Sequence, residues 1–412
     1  MINKNNRKIW VNITIFALVL LVFNVWLLVK SLPEEIRLVG QERPKVPLFT
    51  SLKASNFNKD FMEIKFLGLF TIKQIEVKKI PVTSLIPGGH SIGVYLKTPG
   101  VMIVGFSDVK GKNGEVNPAG EAGLKEGDLI LKVNDIPVSH DFELKNLVNH
   151  YGGQKVILTV KRGGQIIKKE ITPVYSTEDK RWRIGIFIRD NIAGLGTLSY
   201  YNPVDKTFGA LGHTIIDPDT GKIFPLKQGR ILAAKIQTIY PSKRGQPGEK
   251  IGIFLAKNIV GTVYENNRFG IFGKASRDII NPYFAKPLPI ASNSEVKPGE
   301  AEIYTVLKGE KIEKFTIYIE KVRPNQKDGR NLIIRIKDPR LLRVTGGIVQ
   351  GMSGSPIIQN GKIAGVVTHV FLSDSSKGYG ILIENMLKEV YNNKKLWGAN
   401  PNFSCKKLSL FF

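Results

Sequence analysis

Residues 351–356 read Gly-Met-Ser-Gly-Ser-Pro, and this hexapeptide lies between two apolar stretches, Thr345 to Gln350 and Ile363 to Thr368. Glycines around a serine are typical of a tight turn, because glycine adopts backbone angles that other residues avoid. On such a turn the N–H groups of Gly351 and Ser353 can point at one spot and stabilise a developing negative charge. The stretch therefore predicts a β-rich fold that presents Ser353 on a turn.

The hexapeptide matches the Gly-x-Ser-Gly-[Gly/Ser]-Pro pattern of chymotrypsin-like serine proteases. This resemblance makes Ser353 the candidate nucleophile, and the backbone N–H groups of Gly351 and Ser353 the candidate oxyanion hole. Ser355 is the competing serine, but its offset from Gly351 fits the pattern less well.

A serine hydroxyl needs a base that takes its proton. His213 is the favoured candidate, because it lies before the serine in a β-rich region and follows Phe208-Gly209-Ala210-Leu211-Gly212. His369, on a predicted strand after the serine motif, is the reserve candidate. The other histidines fall before the β-rich region: His90, His140 and His150.

A carboxylate should orient the base and stabilise its cation. The sequence leaves several aspartates open between the histidine and the serine: Asp217, Asp219, Asp278, Asp328 and Asp338. A turn role is the simpler account of Asp217 and Asp219, which flank a proline and precede a glycine. Asp338 follows the apolar stretch Leu332 to Ile336, which could hold it rigidly near the site.

The fold class predicted is mainly β. Many short strands separated by glycine turns predict a C-terminal double β-barrel, here a chymotrypsin-like peptidase domain over residues 181–400. Upstream, residues 87–175 resemble a bacterial PDZ domain of α+β type, on the stretch Ala122-Gly123-Leu124-Lys125-Glu126-Gly127-Asp128 and its surroundings. PDZ domains bind extended peptides, usually C-termini, at a sheet edge. The resemblance suggests a carboxylate-binding loop at Ser91, Ile92, Gly93 and Val94.

The N-terminus predicts a membrane anchor. Ile9 to Val29 is an apolar stretch long enough for a transmembrane helix, with Lys4, Arg7 and Lys8 before it. A cleaved signal peptide is the alternative, although no small-x-small cleavage site follows. We therefore expect a cytoplasmic tip and single membrane span over residues 1–30, a stalk over residues 31–86, and the remainder outside the cytoplasm.

Composition excludes several classes. The chain has 412 residues, a formal net charge of +25 and one cysteine. A single cysteine excludes an internal disulfide framework and a cysteine-based zinc site. The basic residues are dispersed and not interleaved with aromatic residues, which argues against nucleic-acid binding. Nucleotide-binding and His-Glu-x-x-His motifs are missing from the sequence, so we expect no metal and no cofactor.

The order of anchor, PDZ domain and peptidase, with Ala210-Leu211-Gly212-His213 and the serine hexapeptide, resembles the SpoIVB peptidase family of endospore-forming bacteria. The resemblance implies a serine endopeptidase exported into the space between the forespore membranes. There it would cleave itself and a regulatory partner of an intramembrane protease that activates pro-sigma-K. It also implies a catalytic triad on His213, Asp338 and Ser353. Thr214 departs from the family, which usually has glycine after the histidine.

A second interpretation stays open from the residues alone. The protein could be a non-catalytic exported adaptor that binds peptide termini through its PDZ domain. The presence of both Ser353 and His213 argues against that interpretation, because a degenerate protease usually loses one of them.

Overall fold

The computed structural model describes residues 4–32, 35–39, 52–57, 61–66, 69–80 and 84–388. The chain divides into two compact units, Met1–Thr83 and Ser84–Phe412. Residues 389–400, which the sequence assigns to the end of the peptidase domain, lie outside the described residues.

The first unit combines one helix with one small sheet. Helix α1 spans Lys4–Ser31, and the strands are β1 (Glu35–Val39), β2 (Leu52–Phe57), β3 (Phe61–Phe66) and β4 (Phe70–Ile80). The sheet order is β1-β4-β3-β2, with β1 parallel to β4, so the predicted stalk contains a sheet. The predicted transmembrane span is not supported, since no helix among the described residues is long and apolar enough to cross a membrane.

The second unit begins with two strands and an inserted α+β domain. The first two strands are β5 (Ser84–Pro87) and β6 (Ser91–Phe106). The inserted elements follow in chain order: β7 (Val109–Gly111), β8 (Gly114–Val116), α2 (Pro118–Glu121), β9 (Leu129–Val133), β10 (Ile136–Pro137), α3 (Asp141–His150), β11 (Val156–Arg162), β12 (Gln165–Ile171), β13 (Val174–Ser176) and β14 (Arg181–Arg183). Their core packs the strands against α3 through buried apolar side chains, including Ile130, Leu144 and Val148.

The first barrel is closed by strands from both sides of the inserted domain. The later strands are β15 (Ile186–Asn202), β16 (Thr207–Ala210), β17 (Gln228–Tyr240), β18 (Glu249–Asn267), β19 (Gly270–Ala275) and β20 (Leu288–Pro289). The order β6-β17-β18-β19-β16-β15 returns to β6, which makes a ring of antiparallel pairs. The N-terminal part of β6 thus pairs with strands of the first barrel, although it lies within the range predicted for the PDZ domain, residues 87–175.

The second barrel is closed in the order β21-β22-β23-β26-β25-β24. Its strands are β21 (Gly299–Val306), β22 (Ile312–Val322), β23 (Leu332–Ile336), β24 (Pro356–Gln359), β25 (Lys362–Phe371) and β26 (Asp374–Leu382), with helix α4 at Pro339–Thr345. Strand β22 shows why this sequence forms a barrel wall. Phe315, Ile317 and Ile319 alternate with polar positions, so one face fills the barrel interior. The predicted double barrel is present.

Candidate active site

The serine turn is held by strand β15 of the first barrel. The backbone N–H of Thr197 donates to the carbonyl of Ser353 over 3.0 Å, and its hydroxyl donates to the carbonyl of Gly351 over 2.7 Å. Gly354 has a φ of +97°, and a Cβ there would lie 2.0 Å from the Thr197 carbonyl oxygen. Only glycine fits this contact, so the glycine after the serine lets the two barrels meet closely at the turn.

Two N–H groups of this turn are left for a ligand. The intervening N–H of Met352 donates to the carbonyl of Val349 over 3.1 Å. Within the part of the chain that the structure describes, the N–H groups of Gly351 and Ser353 have no backbone or side-chain acceptor. These are the two donors that the sequence predicts for an oxyanion hole, and unsatisfied donors at one turn are suited to an oxygen that gains negative charge.

The two candidate serines have different surroundings. Ser353 is half-buried, and its hydroxyl donates to the carbonyl of Thr368 over 2.7 Å. Ser355 is fully buried, and its hydroxyl donates to the carbonyl of Met352 over 2.7 Å. Ser353 also lines a cleft of the second unit, whereas Ser355 does not. A substrate could therefore reach Ser353 and not Ser355.

His213 lies in the same cleft as Ser353, just beyond the end of β16. Its Nδ1 is 2.9 Å from the carbonyl oxygen of Thr214. A carbonyl can only accept, so Nδ1 carries the proton and Nε2 is free to accept one. Burial lowers the pKa of the His213 imidazole, while the hydrogen bond to Thr214 opposes this effect. A neutral imidazole of this tautomer can act as a general base.

A second imidazole stands beside the first. The ring centroids of His213 and His369 are 4.9 Å apart and tilted by 39°. Burial, followed by the charges of His213 and Arg330, lowers the pKa of His369 to about 4. Its Nδ1 is buried and has no hydrogen-bond partner among the described residues. His369, the reserve candidate for the base, thus lies at the site as a neutral group.

Asp338 makes no hydrogen bond to His213 in the described structure, so its predicted place in the triad stays a prediction. Both carboxylate oxygens of Asp338 accept from the guanidinium of Arg340, at 3.2 and 2.8 Å, and one also accepts from the N–H of Arg340. The Arg340 guanidinium holds the pKa of this carboxyl below its usual range. Asp338 caps helix α4, whose first residue is Pro339, and Nδ1 of His213 is bonded to a carbonyl instead. Asp-Pro is a common helix start, which explains this placement.

Asp328 is the carboxylate that does line the cleft. The cleft has a volume of about 940 Å³ and is bordered by both barrels. Its wall includes the loop Asp328–Arg330 beside His369, and the negative charge of Asp328 raises the pKa of His369 slightly against the dominant lowering effects. The carboxylate itself accepts from the N–H of Arg330 and the amide of Gln326. Among the aspartates that the sequence left open, Asp328 is thus the one in the cleft.

The proposed carboxylate-binding loop at Ser91, Ile92, Gly93 and Val94 is wrong. These residues form the start of β6, which pairs with β15 on one side and with β17 on the other. Gly93 lies opposite both Leu195 and Leu232. A strand with two partners has no free edge for a peptide, so the glycine serves close packing under Phe254.

A second cavity lies beside helix α3 of the inserted domain. It has a volume of about 720 Å³ and lies between the helix and residues 184–188. Leu144 and Val148 of α3 face it from one side, and Ile184, Ile186 and Ile188 line the other. Gly185 has a φ of +77°, and a Cβ there would lie 2.5 Å from the carbonyl oxygen of Ser107. The stretch Arg-Ile-Gly-Ile at residues 183–186, which lines this cavity, follows the range predicted for the PDZ domain and was not predicted to belong to a site.

Comparison with known families supports this division of the chain. Residues 180–387 match the family described as SpoIVB peptidase S55. The chain belongs to the SpoIVB peptidase S55 family. Residues 100–172 match the PDZ domain family. The PDZ match begins within β6, and the peptidase match begins next to the predicted boundary at residue 181.

Other relatives share shorter regions with this S55 family member. A Clostridium acetobutylicum protein named as a zinc metalloprotease is 31% identical over 110 residues, which are 25% of this chain and 32% of that protein. A Treponema pallidum protein of the same name is 28% identical over 71 residues, covering 17% of this chain and 16% of that protein. The chain thus spans less than one third of the length of these two relatives.

Solved structures with partial similarity include proteases. The inactive form of the Rv3671c protease of M. tuberculosis has a TM-score of 0.28 and 14% identity, over 48% of this chain and 83% of that chain. Human heparin binding protein has a TM-score of 0.25 and 10% identity, over 48% of this chain and 78% of that chain.

Proposed function

We propose that this S55 family member is a serine endopeptidase in which Ser353 is the nucleophile and His213 the base. The observation that carries the proposal is the pair of unpartnered N–H groups, on Gly351 and Ser353, at a turn that shares one cleft with His213. Binding alone would not require two backbone donors beside a serine and a neutral imidazole. Such an arrangement suits acyl transfer.

The reaction proceeds in two steps. The Ser353 hydroxyl turns from the Thr368 carbonyl toward Nε2 of His213, which takes its proton as Oγ attacks the carbonyl carbon of the substrate. The N–H groups of Gly351 and Ser353 stabilise the oxyanion, and the imidazolium then protonates the leaving amine. Water, activated by the same imidazole, hydrolyses the acyl-enzyme and restores Ser353. The carbonyl of Thr214 orients His213 throughout, in the place where other serine proteases use a carboxylate.

The family resemblance supports a more specific role in sporulation. We propose that the substrates are the protein itself and a protein that regulates an intramembrane protease. Cleavage of this regulatory partner would allow the intramembrane protease to activate pro-sigma-K. The site of action would be the space between the two forespore membranes. The stretch of residues 31–86 before the barrels is where we expect self-cleavage.

Self-cleavage tests this proposal directly. Wild-type full-length protein should give shorter bands on a blot, while Ser353→Ala should give one full-length band. Ser294→Ala is the matched control, because Ser294 is exposed and lies outside the cleft, and it should behave as the wild type. Equal processing in the wild type and in Ser353→Ala would contradict the proposal. Single bands throughout, with no labelling by a fluorophosphonate, would favour the non-catalytic adaptor.

A further inference from the structure

The candidate base is oriented by a peptide group that has a hydrogen-bond partner of its own. Nδ1 of His213 donates to the carbonyl of Thr214 over 2.9 Å. The N–H of the same peptide group belongs to Ile215, and it donates to Oδ1 of Asn266 over 2.8 Å. The C=O and N–H of a planar trans peptide group point in opposite directions, so the two bonds lie at opposite ends of one rigid unit. His213 and Asn266 are thus linked through a single peptide group.

The amide of Asn266 uses all of its hydrogen-bonding capacity on this segment. Its Oδ1 also accepts from the hydroxyl of Thr214 over 3.2 Å. Its Nδ2 donates to the carbonyls of Ile215 and Phe224, at 2.9 and 3.1 Å. A backbone N–H can only donate and a carbonyl can only accept, so the amide fits in one orientation. The position needs an acceptor and a donor on one short side chain, which neither a carboxylate nor an apolar side chain supplies.

The segment that Asn266 holds is a short loop that starts at the base. The N–H of Phe224 donates to the carbonyl of Ile215 over 3.0 Å, so the two ends of the loop are bonded to each other. Asn266 lies on β18, which pairs with β19, and β19 pairs with β16, the strand that ends shortly before His213. The amide therefore ties the loop to the barrel wall beside the base.

Asn266 can act on His213 from outside the substrate cleft. Thr214 and Ile215 line that cleft, whereas Asn266 is not among its lining residues. Hydrogen bonds in a chain polarise one another, so the bond from Ile215 to Asn266 strengthens the Thr214 carbonyl as an acceptor. A strong acceptor at Nδ1 keeps the ring proton there and leaves Nε2 free to take the proton of Ser353.

We propose that Asn266 is a positioning residue of the base, which fixes and polarises the Thr214–Ile215 peptide group so that this group orients His213 in the place of a triad carboxylate. The inference rests on the proposed peptidase activity and adds a residue to its machinery. The linkage runs through the backbone of residue 214, so it can operate with Thr214 as well as with the glycine that is usual in the family.

Labelling kinetics of two neighbouring asparagine variants test the proposal. Asn266→Ala removes the amide. Asn267→Ala is the matched control, because Asn267 is also half-buried on β18 but bonds to Glu265 and to the N–H of Phe269. With an alkyl fluorophosphonate, we expect the maximal labelling rate of Asn266→Ala to fall on the order of 10²-fold, because small displacements of a reacting group have effects of this size. The half-saturating concentration should stay within about threefold of wild type, since Asn266 lies outside the cleft.

The control should keep its maximal labelling rate within about threefold of wild type. Asn266→Asp is a second variant that keeps the size of the side chain. Its added oxygen would face the carbonyls of Ile215 and Phe224, so we expect it to displace the segment and to slow labelling as well. A wild-type maximal rate in either Asn266 variant would overturn the proposal. An equal loss in the Asn267 control would also overturn it, because the effect would then belong to the strand end in general.

The tautomer of His213 provides an arm that does not depend on activity. NMR of full-length wild-type protein with 15N-labelled histidine should show the His213 ring at neutral pH with its proton on Nδ1, in a signal that disappears in His213→Ala. In the Asn266 variants this signal should shift upfield or broaden as the bond to Thr214 weakens. A proton on Nε2 in the wild type, or an unchanged Nδ1–H signal in the Asn266 variants, would overturn the proposal. A wild type that fluorophosphonate does not label would instead contradict the peptidase function, and the NMR arm would still decide whether Asn266 holds the ring.

Discussion

Thr197 holds the carbonyl of Ser353 through its own N–H, over 3.0 Å, so a strand of the first barrel fixes the nucleophile that the second barrel carries. The hydroxyl of the same residue adds a bond to Gly351, on the other side of the turn. Thr197 is fully buried. The shape of the oxyanion turn thus depends on contact between the barrels and not on the hexapeptide alone.

Removal of the Thr197 hydroxyl should shift the turn that carries Gly351 and Ser353 and so slow the reaction of Ser353. In Thr197→Val the buried carbonyl of Gly351 loses its donor while the side-chain shape is kept, which costs about 1–2 kcal/mol. We expect the rate of fluorophosphonate labelling to fall about tenfold, because the Gly351 N–H moves with the turn. Thr197→Ser keeps the hydroxyl and should retain most of the rate. Equal rates in the valine and serine variants would show that this hydrogen bond does not position the turn.

The acid limit of activity should lie below pH 6.5. Burial lowers the pKa of His213, so the imidazole stays neutral, and able to accept a proton, at pH values where an exposed histidine is charged. The labelling rate should therefore be maintained as pH falls through 6.5 and should drop only at lower pH. The measurement is a pH profile of fluorophosphonate labelling. A midpoint above pH 6.5 would mean that a carboxylate stabilises the imidazolium, which the structure does not show.

Replacement of Asp338 tests which of two roles this residue has: the cap of helix α4 that the structure shows, or the triad carboxylate that the family resemblance implies. Asp338→Asn keeps an N-cap side chain for α4 but weakens the pair with Arg340, so we expect a stability loss of about 1 kcal/mol or less and a labelling rate within about threefold of wild type. A loss on the order of 10³-fold or more would return Asp338 to the triad. Asp328→Asn, at the carboxylate that lines the cleft, is the informative comparison.

Lys250 should reduce stability near neutral pH. Its side chain is buried, its Nζ donates to the hydroxyl of Thr305 over 2.7 Å, and burial lowers its pKa to about 7. The unfolded chain keeps the lysine charged up to pH 10.5, so the cost of burial is complete below pH 7 and declines as pH rises from 7 to 10.5.

Lys250→Met should therefore raise the free energy of unfolding at pH 7 by about 2–4 kcal/mol, as denaturant titration would measure. The gain should shrink between pH 7 and 10.5. Lys257→Met, at an exposed position on the same strand, is the control and should change little. A destabilised Lys250→Met at pH 7 would contradict this account.

The hexapeptide and the alternation of short strands predicted the double barrel and the serine turn, because both depend on local sequence. The Asp338-Pro339 pair also carried a local signal, a helix N-terminus, which predicts that Asp338 caps α4. The cap could thus be predicted from the sequence, whereas the distance from Asp338 to His213 depends on the packing of the two barrels.

The pairing of β6 could not be predicted locally. Ser91–Val94 resembles a peptide-binding loop, yet its partners are β15 and β17, about 100 residues or more downstream. Whether a strand edge is open depends on such distant pairing. The cavity at residues 184–188 was missed for the same reason. It forms only because these residues, which begin strand β15, pack beside helix α3, about 40 residues earlier in the chain.

Fluorophosphonate labelling followed by peptide mapping tests the central claim, that Ser353 is an activated nucleophile, most directly. Full-length protein at neutral pH should carry one label, on Ser353, and the label should vanish in Ser353→Ala and fall strongly in His213→Ala. A wild-type protein that stays unlabelled, or a label that persists in Ser353→Ala, would contradict the claim.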